Sequence, residues 1–328
     1  MTSEFDVIVV GGGPAGSTAA WKLRLGGMRV LVLDREPFPR LKLCAGWVTP
    51  EALKDLEIEP ADYPHRLLSF RRLHFHAWGL HLPAPCVQHS IRRLEFDAWL
   101  LARSGAEVRQ HAVSDIREER EGYLIDERYR ARYLIGAGGT SCPVYRTLFR
   151  RLEPRNRALQ TATLELEFPC DWRDGDCHLW FFDHGLPGYS WYVPKADGWL
   201  NVGVGGMAQL LRQRNGDLHA HWRHLQARLQ RRFGLQAPEQ PAGYSYFLRG
   251  PLRSLRRGNA LLAGDAAGLA TQDLCEGIGP AVRSGLRSAE AILTGRPYEL
   301  ESALHATSLP GFAGRWLSRR FTRANTRA

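Results

Sequence analysis

Residues 5–34 constrain the fold more than any other stretch of the chain. Residues 5–10 are an apolar, β-rich run, and Gly11-Gly12-Gly13-Pro14-Ala15-Gly16 follows at once. Residues 14–26 carry Ala15, Ala19 and Leu23 at helical spacing, and 29–34 form a second apolar strand ending on Asp34. This is a strand–turn–helix–strand unit around a G-x-G-x-x-G string. Gly11 permits the tight turn, Gly13 lets backbone approach a pyrophosphate, and Gly16 allows close packing of helix on sheet. The helix start, with Pro14 and Ala15, offers free N–H groups and the positive end of its dipole to phosphate. Asp34 stands where a carboxylate takes ribose hydroxyls, so the string reads as a dinucleotide site.

The remaining composition excludes more than it proposes. The chain has 328 residues, 44% hydrophobic and 24% charged, which is ordinary for a globular protein. No apolar run approaches the ~18–20 residues that span a bilayer, and the acidic start has no signal-peptide pattern, so a cytoplasmic location is expected. The six cysteines form no CxxC pair and no zinc-ligand spacing occurs, so no metal site is expected. The net charge of +10 suits an anionic lipid or an acidic substrate. Nucleic acid is not expected, because no nucleic-acid-binding signature accompanies the charge.

Further elements follow the first unit. A helix is expected at 94–102 and strands at 107–111 and 131–136. The middle reads differently: TATLELEF, HLWFFD, YSWYVP and WLNVGVGG are strand-like runs separated by turn residues and crowded with aromatics. They predict an antiparallel sheet inserted into the nucleotide domain. A polar helix over 207–233, a strand at 260–263 and a small-residue helix over 276–294 complete the pattern. The fold class is therefore α/β (α+β overall). It comprises a Rossmann-like doubly wound domain over 1–152 and 251–300, an inserted sheet domain over 153–250, and a basic helical tail over 301–328.

A second glycine-rich segment selects the nucleotide. Residues 260–263 end on Gly264-Asp265-Ala266-Ala267-Gly268, and Glu276-Gly277-Ile278-Gly279 opens the long helix some ten residues later. An acid at a strand end can bind a ribityl hydroxyl, and the following helix start can favour negative charge on a reduced flavin. GDAAG with EGI is similar to the closing FAD motif of the para-hydroxybenzoate-hydroxylase-like flavoproteins. Residues 91–97, IRRLEFD, resemble their R-x-x-F-D segment, whose arginine (here Arg93) reaches FAD. Residues 136–146 resemble their G-A-D-G-x-x-S-x-V-R segment, with Gly138 in place of the acid.

Within that superfamily the chain resembles the geranylgeranyl reductase family. Lys42-Leu43-Cys44-Ala45-Gly46 resembles its K-x-C-x-G, and Tyr189-Ser190-Trp191-Tyr192-Val193-Pro194 with Asn201-Val202-Gly203-Val204-Gly205 resembles its Y-x-W-x-F-P and N-x-G-x-G. The resemblance implies FAD-dependent reduction of C=C bonds in polyprenyl chains, with Cys44, Tyr189 and Trp191 at the substrate cavity as catalytic candidates. The cofactor-binding set is then Gly11, Gly13, Pro14, Ala15, Gly16, Asp34, Ala45, Gly46, Arg93, Val113, Gly138, Asp265, Gly277 and Ile278. Implied partners are an apolar or lipid substrate and an electron donor, whether a reductase, ferredoxin or NAD(P)H. Direct reduction by NADPH is expected to be poor, because the one G-x-G-x-x-G serves FAD and Gly138 removes an acid that the hydroxylases have.

Plainer roles compete at several positions. Cys44 and Cys275 are also small apolar residues suited to packing. Tyr189 and Trp191, two apart on a strand, share a face and could simply fill a sheet core. Glu276 can cap its own helix. Arg315, Arg319, Arg323 and Arg327 recur every fourth residue, with Leu317, Phe321, Ala324 and Ala328 on another side beside Trp316. As a helix this tail would be basic and amphipathic, a candidate for peripheral membrane contact. Three functions remain open: a flavin reductase, a flavin monooxygenase or hydroxylase, and an assembly or maturation protein holding FAD without turnover. Halogenation ranks low, because Tyr189 stands at the first Trp of the halogenase W-x-W-x-I-P.

Overall fold

The computed structural model describes residues 3–238, 240–251, 254–309 and 311–322. They form two compact units, each built from discontinuous segments: 3–40, 94–156 and 247–309 in the first, and 41–93, 157–246 and 311–322 in the second.

The first unit is a doubly wound sheet. Its strands run in the order Arg256–Arg257, Ala260–Leu262, Tyr129–Gly136, Ser3–Val10, Val30–Asp34, Glu107–Gln110. The Ser3–Val10 strand lies parallel to both neighbours, and an antiparallel hairpin, Ile116–Glu119 with Gly122–Ile125, extends from Tyr129–Gly136. The strand residues alternate between two cores, as a parallel sheet covered on both faces requires. Val7, Val9, Val30 and Val32 pack with Ala15, Ala19 and Leu23 of helix Pro14–Leu25 and with Ala281, Ala289 and Ile292 of helix Ile278–Thr294. Ile8, Val10, Leu31 and Leu33 face Tyr123, Val144 and Phe149 on the other side. Gly285 explains the small-residue stripe, because a Cβ there would strike the carbonyl oxygen of Ala15 where the two helices meet.

The second unit is an eight-stranded sheet in the order Ala242–Phe247, Gln160–Pro169, Trp199–Met207, Gly188–Lys195, Cys177–Phe181, Leu68–Ala77, Leu80–Ser90, Trp47–Val48. The four aromatic-rich runs of the middle sequence are the contiguous Gln160–Pro169, Trp199–Met207, Gly188–Lys195 and Cys177–Phe181. Pairing is antiparallel apart from Cys177–Phe181, which runs parallel to Leu68–Ala77. That parallel pair recruits 41–93 into this unit, which corrects the expectation that 1–152 belongs wholly to the nucleotide domain. The expected separate tail is also corrected: 301–309 belongs to the first unit and the described remainder to the second.

One sheet face is apolar and covered. Leu164, Val202, Val204, Tyr192 and Trp180 pack against Trp222, Leu225 and Leu229 of helix Leu218–Phe233. Each such Leu contributes roughly 1.5–3 kcal/mol on full burial. The single helix expected over 207–233 is two, Ala208–Gln213 and Leu218–Phe233. Asn215 takes a positive φ of 50°, and the Asp217 carboxylate accepts from the His219 N–H at 2.9 Å to cap the second helix. At the sheet's rim, Leu80–Ser90 carries Pro83 and Pro85, and Trp47–Val48 pairs only with its last two residues.

Four imidazoles stack on the covered face where the strands meet. His74, His76 and His178 lie with ring centroids 4.4–6.5 Å apart, and His81 stacks on His76 at 4.4 Å. Burial, and then the charge of neighbouring His178, hold His76 down to about 3. Burial holds His178 down to about 4, against the raising pull of Asp174. In the unfolded chain both protonate near 6.5. The unfolded state therefore takes up more protons as pH falls below 6.5, and stability falls with it toward pH 4 and below. Urea midpoints measured across that window should decline with acidification. His76→Phe, which keeps the stacking and removes one titrating ring, should flatten the decline.

Candidate active site

In the first unit three glycine segments converge on the start of helix Pro14–Leu25. Gly11 has a φ of 109°, and a side chain there would collide with the backbone of Ala137 and Gly138. A Cβ at Gly16 would collide with the Gly11 carbonyl oxygen, and one at Gly264 would stand 3.0 Å from the Ala15 Cβ. Thus Gly11, Ala15, Gly16, Gly138 and the turn Gly264–Ala266 share one small volume. Asp265 in that turn lies beside Gly277, which caps helix Ile278–Thr294. Val113 sits apart, half-buried against the opposite core.

Gly13 differs from the other two glycines of its motif. Its φ of −74° is open to any residue, and an added Cβ would meet only Arg40 Nη2, at 3.5 Å. The protein itself does not require glycine here, whereas a group lying against the backbone does. The helix that begins at this point has no side-chain cap and no acidic residue in its first turn. These are the features a pyrophosphate needs, so the residues present fit FAD. Asp34 is pinned for its role: Oδ2 accepts from the Gly12 N–H at 2.8 Å and Oδ1 from the Glu36 N–H at 3.0 Å. Arg40 stands 3.9 Å from Asp34 and 3.7 Å from the fully buried Asp97. It is a cation beside Gly13 that no spacing rule reveals, because it lies in a loop. Glu276 does cap its helix, with Oε1 accepting from the Gly279 N–H at 2.6 Å. Desolvation pushes its carboxyl up to about 7.

The second unit holds the other candidates, on the sheet face opposite helix Leu218–Phe233. Trp191 is buried and Tyr189 half-buried, their rings 5.9 Å apart. The Trp191 indole lies across Gly203, where any Cβ would collide with it, and Gly205 leaves room at the ring's far edge. The Trp191 Nε1 donates to Asn201 Oδ1 at 2.7 Å, and Asn201 Nδ2 donates to the Cys44 carbonyl at 3.3 Å. An indole N–H can only donate, so the orientation of the Asn201 amide is determined. The N-x-G-x-G string therefore has a physical meaning: an amide clasp and two gaps for the tryptophan. Cys44 Sγ accepts from the Gly46 N–H at 3.4 Å, and Gly46, at φ 71°, abuts the Ile91 carbonyl. Ala45 lies between them, and Arg93 is buried at the start of helix Arg93–Arg103.

Three charged groups on this face were not singled out from sequence. Lys195, fully buried, donates to the Ile91 carbonyl at 2.7 Å and pairs with Glu167 at 2.6 Å. Glu167 also receives Arg92 Nε at 2.9 Å. Glu165 is 3% exposed, and its Oε2 has no hydrogen-bond partner. Burial pushes its carboxyl up to about 7, against the pull of Lys195, Lys42, the Asn201 side chain and Arg93. The alternation of TATLELEF carried the signal: acids at every second position of a strand whose other side is apolar.

Fold and cradle together define an FAD-dependent oxidoreductase. The model of the family described as FAD dependent oxidoreductase matches residues 6–80. An uncharacterised protein of Methanosarcina barkeri is 31% identical over 304 residues, 88% of this chain and 74% of its own length. Digeranylgeranylglycerophospholipid reductase 2 of Methanopyrus kandleri is 33% identical over 218 residues, 62% of this chain and 54% of its own. Digeranylgeranylglycerophospholipid reductase 1 of the same organism is likewise 33% identical, over 225 residues, 62% of this chain and 58% of its own. The chain spans a little over half the length of the first curated relatives it matches. A geranylgeranyl bacteriochlorophyll reductase-like protein of Thermoplasma acidophilum shares the fold with a TM-score of 0.78, at 20% identity, over 99% of this chain and 83% of that one.

The two kinds of glycine can be told apart by experiment. Gly13→Ala should leave folding and thermal stability unchanged while weakening FAD about tenfold or more, ~1.4 kcal/mol, in a flavin-fluorescence titration. Gly16→Ala should lower the melting temperature itself, because its collision is with the protein's own backbone.

Proposed function

We propose that this flavoprotein reduces C=C bonds of an apolar, polyprenyl-like substrate. The observation that carries the reading is the Asn201 clasp, which fixes Trp191 and the Cys44 backbone on one buried sheet face. It joins two segments more than 140 residues apart, each matching a motif of the reductase family. The names of the relatives point the same way. FAD, when bound, supplies the hydride. Gly11, Gly13, Asp34 and the turn at Asp265 would hold its phosphates and hydroxyls. Tyr189 and Trp191 offer aromatic, water-excluding surface to an alkene. Cys44 would line the same place. The donor in this reading is a ferredoxin or reductase, since Gly138 and the single G-x-G-x-x-G argue against direct use of NAD(P)H.

The expected lipid-facing surface changes in its details. Leu317 and Phe321 are buried, with Phe321 set against Phe181 and Phe182, so they do not form the outward stripe expected from sequence. Arg323, Ala324, Arg327 and Ala328 lie outside the described residues. Helix Gly311–Thr322 instead exposes Phe312 and Trp316 beside Arg315, Arg319 and Arg320, and the hairpin tip exposes Trp78 and Leu80. Aromatics with arginines and no acid suit the interface of an anionic membrane. Among the described residues no helix is long and apolar enough to cross one. Vesicles with anionic phospholipid should sediment the protein, and the double change Phe312→Ser with Trp316→Ser should weaken that binding about tenfold.

The activity is tested by chemically reducing the protein under argon and adding polyprenyl lipids. A product heavier by two hydrogens per bond is expected. A product that forms only with oxygen and carries an oxygen atom would replace this reading with a monooxygenase. Asn201→Leu should keep its FAD and lose turnover by roughly a hundredfold, as displaced reacting groups do.

A further inference from the structure

Saturating a C=C bond consumes a proton as well as a hydride, and the buried face contains a group built to hold one. Glu165 and Trp191 lie on either side of Gly203 in the strand register, Glu165↔Gly203 and Trp191↔Gly203, and so project to the same face across a residue with no side chain. The Asn201 amide, with Oδ1 committed to Trp191, turns its nitrogen toward the Cys44 carbonyl, and its dipole favours the charged form of Glu165. Cys44 and Trp191 are thus held by one amide, on the face that Glu165 shares.

The two acids of this strand are treated differently. Glu167 is closed off by Lys195 and Arg92. Glu165, two residues earlier on the same face, keeps an oxygen without a partner although it is almost wholly buried. The nearby ammonium groups are engaged elsewhere: Lys195 with Glu167 and Ile91, and Lys42 over the Tyr244 ring at 3.0 Å. A buried, unpaired carboxyl oxygen works against stability, and such an oxygen persists where a site requires it.

We propose that Glu165, rather than Cys44, is the proton-holding residue of this site and gives its proton to the alkene. The inference rests on the reductase reading. In the step, the Glu165 O–H bond breaks and a C–H bond forms at one alkene carbon. The hydride for the other carbon is what reduced FAD would supply, becoming oxidised by two electrons, so that two C–H bonds would replace the π bond. Glu165 is left as a carboxylate, which Lys195, Lys42, Arg93 and the Asn201 amide stabilise until solvent returns the proton. Burial holds the group near neutrality, where it can both give and regain that proton.

The test compares FAD-loaded wild type with Glu165→Gln and Cys44→Ser. Glu276 also titrates near 7 and contributes equally to both proteins, so the readout is the wild-type-minus-Glu165→Gln infrared difference, which should show a protonated-carboxyl band that disappears with a midpoint near pH 7. A difference band titrating near pH 4.5, or none, would overturn the proposal without reference to any substrate. In single turnovers of chemically reduced enzyme, Glu165→Gln should be about a hundredfold slower, with unchanged FAD affinity and a flat pH profile. Cys44→Ser should retain the wild-type ionisation in its profile. Wild-type reduction with undiminished turnover in Glu165→Gln would overturn the delivery step alone. A wild type that shows the band yet reduces no alkene would overturn both that step and the reading on which it rests.

Discussion

Everything in the first unit depends on a backbone-to-backbone approach, that of the Gly11 carbonyl to the Cα of Gly16. A strand must end and a helix begin in a space where neither residue can carry a side chain. The same helix meets Gly264 at Ala15 Cβ and Gly285 at the Ala15 carbonyl, so segments drawn from opposite ends of the chain close on it at atomic contact. Overpacking by one methyl typically costs 1–3 kcal/mol, and here the obstacle is backbone that cannot rotate away. The cradle is therefore firm because it is made of main chain, with few side chains whose rotamers could loosen it.

The second unit divides its labour between two faces of one sheet. The face under Leu218–Phe233 is apolar and supplies the stabilising burial. The other carries Glu165, Glu167, Asn201 and Lys195, all at least nine-tenths buried or nearly so. A buried polar group lacking a partner costs about 1–3 kcal/mol, so the polar face draws on the stability of the apolar one. A scaffold of this kind can change its chemistry without changing its fold.

Much of this was legible in the sequence. The first βαβ unit, the GDAAG turn and the aromatic strands announced themselves because glycine placement and two-residue periodicity are local properties. Strands Leu68–Ala77 and Leu80–Ser90 did not, since His74, His76, His81, Pro83 and Pro85 blur the alternation and their pairing partner lies a hundred residues on. The break at Asn215 has a local signal, Asn215-Gly216-Asp217, which helical periodicity alone passes over, and Asn215 takes the left-handed backbone that such a turn favours. Among site residues, Asn201 was visible as part of a motif while its purpose was not. Hydrogen bonds to Trp191 and Cys44 depend on register and on a loop crossing, neither of which spacing encodes. Glu165 and Arg40 were missed because charge in a sequence reads as surface until burial is known.

The rim of the second sheet has a consequence beyond catalysis. Strand Leu80–Ser90 is open along most of its outer side, and it exposes Leu82 and Val87. Such a rim would ordinarily template the addition of strands from other copies. Pro83 and Pro85 lie two residues apart, so their ring nitrogens fall on the same side of the strand, and proline can occupy a paired strand only where no donor is needed inward. The missing N–H groups are those a second molecule would have to grip. Two imino acids thereby remove from this rim the donors along which a further strand would add.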